Sequence, residues 1–204
     1  MSKLLLCNVK MNNTSEKTVY ESNGDIPASE TPVIYPSTAF LEKTLPGTSA
    51  LSVVLVAKKN ASGSYRENVH LCENELSALA EKTKTNISVD VVYTPFSQTP
   101  DTHNTLLMEI IDRIPSGAEL TLDMTYGPKD LVVVQFAALT FAEKFLSCTV
   151  DEIMYGQAEF DGDKITSAKI CGMGSLYYMN SIMSRVTCKD PDEAKEMLRV
   201  LMRM

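Results

Sequence analysis

Residues Ala118 to Leu146 read AELTLDMTYGPKDLVVVQFAALTFAEKFL, and the fold turns on this stretch. Leu120 to Met124 predicts a short apolar strand. Asp123, Thr125, Tyr126, Gly127, Pro128 and Lys129 form a tight polar turn at its end. Leu131, Val134, Ala138, Phe141, Ala142 and Phe145 then recur on one stripe, which predicts an amphipathic helix over Lys129 to Phe145. In open α/β sheets this strand-turn-helix order places a ligand outside the carboxyl end of the strand, against the free N–H groups that open the helix. Gly127 permits positive φ or close backbone approach, Pro128 can start the helix, and Lys129 offers a point charge to a phosphate. Spacing alone supports a plainer account equally well: Thr125 caps the helix and Lys129 is solvated.

Working outward, apolar runs alternate with helical patterns. Leu4 to Val9 and Leu51 to Ala57 predict buried strands, and Ile87 to Tyr93 alternates with β-branched residues as a third. Helical spacing appears over Tyr65 to Lys82 and Thr102 to Ile114, and a short helix over Ser37 to Leu45 with Ser37 as its cap. Glu21 to Thr31 is turn-rich and predicts a surface loop. Downstream, Glu152 to Gln157 is a strand, Asp161-Gly162-Asp163 signals a hairpin, and Lys164 to Ile170 returns antiparallel. This alternation calls for a mostly parallel sheet with flanking helices. Residues 173–204 predict only a helical extension, Ser175 to Ser184 and Pro191 to Arg203, with Asp190 capping the second helix. At about thirty residues it is too short for a separate effector domain.

The 204 residues suit one domain, and 44% hydrophobic with 22% charged residues is a globular composition. A net charge of -7 argues against tracking a DNA or RNA duplex, although a local pocket can still hold a small phosphorylated ligand. The five cysteines, Cys7, Cys72, Cys148, Cys171 and Cys188, form no CxxC pair, so neither a zinc site nor a disulfide framework is expected. With no secretory h-region after Met1, the expected location is the cytoplasm. Leu131 to Leu146 carries Gln135, Thr140, Glu143 and Lys144 and reads as a core helix rather than a membrane span. No GxGxxG follows the first strand, which disfavours an NAD or FAD enzyme; no cofactor or metal is expected.

The run LDMTYGPKDL, the AEKFL that ends the helix (Ala142 to Leu146), and Tyr155-Gly156 in the next strand resemble the DxTHG signature of CRISPR-associated Rossmann-fold (CARF) proteins. Asp123, Thr125 and Gly127 match that signature; Tyr126 stands where the family has His, and Lys129 follows Pro128 where a basic residue is usual. The resemblance implies a Rossmann-like domain over residues 1–172 and a homodimer. It implies that a cyclic oligoadenylate, most often the tetra-adenylate, is bound between the strand-end loops of both subunits, in antiviral signalling that switches an attached or partner effector. Asp123, Thr125, Tyr126, Gly127, Pro128 and Lys129 are then the ligand-binding candidates. Asn8, Lys10 and Asn12 in the first strand-end loop follow by position, where loop stabilisation explains them as well. Tyr126 is placed either to stack on a base or to pack inward.

Effector chemistry is not legible. Arg66 to His70 is one residue short of the Arg-x4–6-His of a HEPN ribonuclease, and His70 and His103 read as ordinary helix and cap-region residues. Pro191-Asp192-Glu193-Ala194-Lys195 compresses a nuclease motif into about one turn, which cannot spread two carboxylates around a metal. The expectation is a binding module. The enzymatic alternative is a metal-independent ring nuclease, in which the ring's own 2′-OH attacks the adjacent phosphorus and Lys129 steadies the developing charge.

Overall fold

The computed structural model describes residues 2–11, 16–24, 26–60, 62–162 and 164–202. The chain divides into two compact units, Met1–Gly172 and Met173–Met204. In the first, the elements run β1 (Lys3–Asn8), β2 (Glu21–Asn23), α1 (Pro36–Thr44), β3 (Ala50–Lys59), α2 (Tyr65–Thr83), β4 (Asn86–Pro95), α3 (Pro100–Ile111), β5 (Glu119–Asp123), α4 (Lys129–Phe145), β6 (Thr149–Asp161) and β7 (Lys164–Gly172). Among the described residues, seven strands form one sheet in the order β2-β7-β6-β5-β1-β3-β4. Every pairing is parallel except β6 with β7. The fold is α/β and Rossmann-like, a mostly parallel sheet with flanking helices.

The sheet is covered on both faces, and the strand sequences show it. β1 is apolar at successive positions, and Leu4, Leu5, Leu6 and Cys7 are all buried, because side chains of a central parallel strand alternate between two covered faces. Leu5 and Cys7, with Leu51, Val53, Leu55 and Ala57 of β3, join the core with α1 and α2 residues such as Phe40, Leu41, Val69, Cys72 and Leu76. A hydrogen bond to Cys72 and burial push the Cys7 thiol well up, so it behaves as an apolar core group. Leu120 and Leu122 of β5 are fully buried, as are Leu131, Ala138 and Leu139 of α4.

Two expectations need correction. Residues 21–31 are not simply a surface loop: β2 pairs in parallel with β7 at the sheet edge, Glu21 beside Lys169 and Asn23 beside Cys171. All three β2 residues are exposed, and beside the backbone ladder only the Asn23 amide reaches β7, at Cys171 Sγ, while Tyr20 and Ile26 on either side are buried and hold the segment down. Nor does Ser37 cap α1. Tyr35 is the N-cap and Pro36 takes the first helical position, where its lost N–H costs nothing.

The second unit contains α5 (Gly174–Met183) and α6 (Pro191–Leu201). Asp190 caps α6, its carboxylate accepting from the N–H groups of Asp192 at 2.8 Å and Glu193 at 3.3 Å. Such a cap stabilises a helix by about 1 kcal/mol. Among the described residues, no helix is long and apolar enough to cross a membrane.

Candidate functional site: two helix openings at the strand ends

β1 lies between β3 and β5. After the detour to edge strand β2, the chain builds outward from β1 through β3 and β4, then returns to start β5 on the other side of β1. The carboxyl ends of β1 and β5 therefore form the switch point, the crevice where such sheets hold ligands. Asn8 to Lys10 and Asp123 to Lys129 meet there.

The turn after β5 is fixed by a relay of hydrogen bonds. The peptide N–H of Gly156 in β6 donates to Thr125 Oγ1 at 2.8 Å, and the Thr125 hydroxyl donates to Asp123 Oδ1 at 2.5 Å. Thr125 N–H donates to the same oxygen at 3.0 Å, and Asp123 Oδ2 accepts from Ser37 N–H of α1 at 3.1 Å. Asp123 is 2% exposed, so these bonds replace its lost hydration. Gly156 admits no side chain: a Cβ there would sit 2.3 Å from Pro36 Cγ. Gly127 has φ +88°, and its Cβ would meet Leu131 Cδ1 at 2.8 Å.

A second carboxylate also serves α1. Glu75 of α2 accepts from the N–H groups of Ile34 at 2.7 Å and Tyr35 at 3.0 Å, and from the Thr38 hydroxyl at 2.7 Å. With Asp123, it fills the positive end of α1 with the protein's own anions. Tyr126 packs inward over this region. Its ring meets Tyr35 edge-on at 5.3 Å, and its hydroxyl donates to the Ile34 carbonyl at 2.8 Å. Burial pushes both tyrosine hydroxyls well above their ordinary range, so each stays a neutral donor. Lys10 is 7% exposed, with its ammonium 5.9 Å from the Tyr126 ring centre. Burial lowers its pKa against the opposing pull of Glu16 and Glu75.

The opening of α4 is arranged differently. Pro128 is its N-cap and has no side-chain acceptor to offer. Asp130 turns away to Lys58 at the end of β3, accepting from Nζ at 2.6 Å, and also meets His103 Nε2 at 3.2 Å and Gln98 Nε2 at 3.3 Å. The Lys58 side chain is only 1% exposed, which makes this a buried ion pair with two further polar partners. Lys129 is exposed and makes no hydrogen bond or ion pair with the other described residues. The first turn of α4 thus presents uncapped peptide N–H groups and one unengaged ammonium.

The residues singled out in the sequence divide accordingly. Asp123, Thr125 and Gly127 shape the turn, and Tyr126 is packed. Pro128 and Lys129 face the open helix start. Asn8 is locked against α4, its side-chain amide exchanging two hydrogen bonds with the buried Gln135 at 3.1 and 2.9 Å. Asn12 lies outside the described residues. The Lys58–Asp130–His103–Gln98 cluster went unread. Its members come from four separate segments, and no local spacing announces it. Among the described residues, no three His, Cys, Asp or Glu side chains converge as a metal site would require.

No protein-family model matches the chain, and no curated protein matches it in sequence. Solved structures do match in part. A point mutant of phosphofructokinase-2 from Escherichia coli is 12% identical at a TM-score of 0.37, covering 76% of this chain and 54% of that one. Phosphofructokinase-2 from Escherichia coli in complex with fructose-6-phosphate is 11% identical at a TM-score of 0.38, covering 98% of this chain and 70% of that one. The chain thus spans about half the length of the first of these proteins.

Proposed function

We propose that the chain is a sensor for a cyclic oligoadenylate, with cyclic tetra-adenylate as the preferred ring, bound across the two-fold axis of a homodimer in the cytoplasm. The observation that carries this reading is the opening of α4: uncapped N–H groups and the unengaged Lys129, at the sheet's switch point, held by the Asp123–Thr125–Gly156 relay. The sequence resemblance to CARF proteins rests on the same residues. Each subunit would offer one such opening to one phosphate of the ring, and the turn would hold its position because its own polar groups are already satisfied. A ligand touching both subunits can shift their relative orientation, which is how an attached or partner effector would be switched.

Labelled cyclic tetra-adenylate, incubated with the protein in EDTA and followed for retention and cleavage, tests the reading. Retention of intact ring is the expected result, and linear products would make the protein a ring nuclease. No binding at micromolar ligand would sink both. Lys129→Ala should weaken binding about tenfold, as expected for one lost charge-assisted phosphate contact. Unchanged affinity would remove Lys129 from the site.

A further inference from the structure

The end of β3 sends neighbouring lysines to opposite faces of the sheet, as alternation along a strand requires. Lys58 goes to α4 and is buried on Asp130. Lys59 goes to the other face, the one that carries Ala57 of β3 and its register partner Tyr93 of β4. α2 begins over that face after the crossover loop and brings Tyr65, Arg66 and His70 down beside them. The five side chains of Lys59, Tyr65, Arg66, His70 and Tyr93 line a pocket of about 280 Å³.

The chemistry of this lining runs against the rest of the chain. The protein has a net charge of -7, yet the lining holds two permanent cations and a histidine, with no carboxylate. Neither Lys59 nor Arg66 forms an ion pair among the described residues, whereas His70 Nδ1 lies 3.1 Å from Glu73. The two tyrosine rings meet edge-on at 5.9 Å. Lys59 Nζ lies 5.9 Å from the Tyr93 ring centre, and Arg66 Cζ lies 5.4 Å from that of Tyr65. Tyr93 is 42% exposed, so a flat apolar surface stands open beside the cations. Cations that lack a counter-ion select an anion, and an open aromatic ring selects a planar π-system. One ligand class carries both on adjoining atoms: a nucleotide.

We propose that this pocket binds a single phosphorylated nucleotide unit, with its base against Tyr93 and Tyr65 and its phosphate between Lys59 and Arg66. A volume of 280 Å³ admits one such unit and excludes a ring of four. The unit is either a free mononucleotide or the phosphorylated end of a single strand; the chemistry is the same for both. The site lies at β3 and β4 and is independent of Lys129.

The test uses the full chain, titrated with adenosine 5′-monophosphate, with inorganic phosphate and with a 5′-phosphorylated tetranucleotide, followed by amide chemical shifts. Adenosine monophosphate should saturate with a Kd on the order of 0.1 to 1 mM, as suits a shallow, exposed site. Shifts should centre on Lys59, Arg66 and Tyr93. The Lys59→Gln, Arg66→Gln double variant should weaken it at least about tenfold, and Tyr93→Ala should bring it down to the affinity of inorganic phosphate. Lys129→Ala should leave it unchanged. These side chains are exposed, so the variants should fold, and their thermal melts check that. Tighter binding of the tetranucleotide would assign the source as a strand end, and equal binding as a free nucleotide. No saturation by about 10 mM, equal affinity for inorganic phosphate, indifference to both variants, or loss with Lys129→Ala would each overturn the proposal.

Discussion

α1 and α4 both open beside the carboxyl ends of the central strands, and their openings are filled in opposite ways. At α1 the chain supplies its own anions: Asp123 and Glu75 take up the N–H groups of Ser37, Ile34 and Tyr35 and the Thr38 hydroxyl. At α4 the carboxylate of the first turn, Asp130, points to Lys58, His103 and Gln98, and the helix start is left to solvent and Lys129. A helix N-terminus in a crevice is therefore not a binding site by position alone. What decides is whether a carboxylate of the same chain already occupies it.

Five substitutions press on this contrast. Asp130→Ala strands the buried Lys58 ammonium, and its expected cost is the largest, about 3–5 kcal/mol in denaturant melts. The Asp130→Ala, Lys58→Met double variant should recover much of that loss, because removing both partners leaves no unpaired charge. A single variant as stable as the parent would mean that Lys58 is hydrated there. Asp123→Ala removes the acceptor of three hydrogen bonds, one from Ser37 N–H of α1 and two from Thr125, and should cost about 2–3 kcal/mol. If α1 remained fully protected from amide exchange in that variant, the carboxylate would not be its cap. Gly156→Ala drives a methyl group into Pro36 and should cost about 1–3 kcal/mol. Adding Pro36→Ala should relieve part of this if the clash is the cause.

The smallest effect is a pH dependence. Burial lowers the pKa of Lys10 from its ordinary 10.5, so between the lowered value and 10.5 the unfolded chain binds more protons than the folded one. Stability should rise with pH across that window, and Lys10→Met should flatten the rise. An unaltered slope in urea melts at stepped pH would assign it to another group.

The elements that carry periodic apolar residues were legible in the sequence. α4 spans Lys129–Phe145 as its stripe predicts, and β5 differs from expectation by one residue at each end. β2 was not, because Glu21, Ser22 and Asn23 carry no apolar alternation and join the sheet chiefly through the backbone. The turn itself could be read from Asp123, Thr125 and Gly127, since its chemistry is local. Its far partners could not. Nothing in the sequence ties Glu75 to residues 34–38, or Lys58 to Asp130 across 72 positions. Tyr126 illustrates the same limit: a tyrosine at a strand end is placed equally well to meet a ligand or the core, and only the Ile34 carbonyl decides.

The amide pair between Asn8 and Gln135 has a mechanical meaning as well. Gln135 lies six residues beyond Lys129, about 9 Å and less than two turns along the same rigid rod. Two antiparallel hydrogen bonds in a dry interior fix the rotation of that rod about its own axis far more narrowly than apolar packing does, since leucines tolerate a few degrees of roll. The pair therefore acts as a keyway: it sets the bearing on which Lys129 leaves the helix, from a point that never touches solvent.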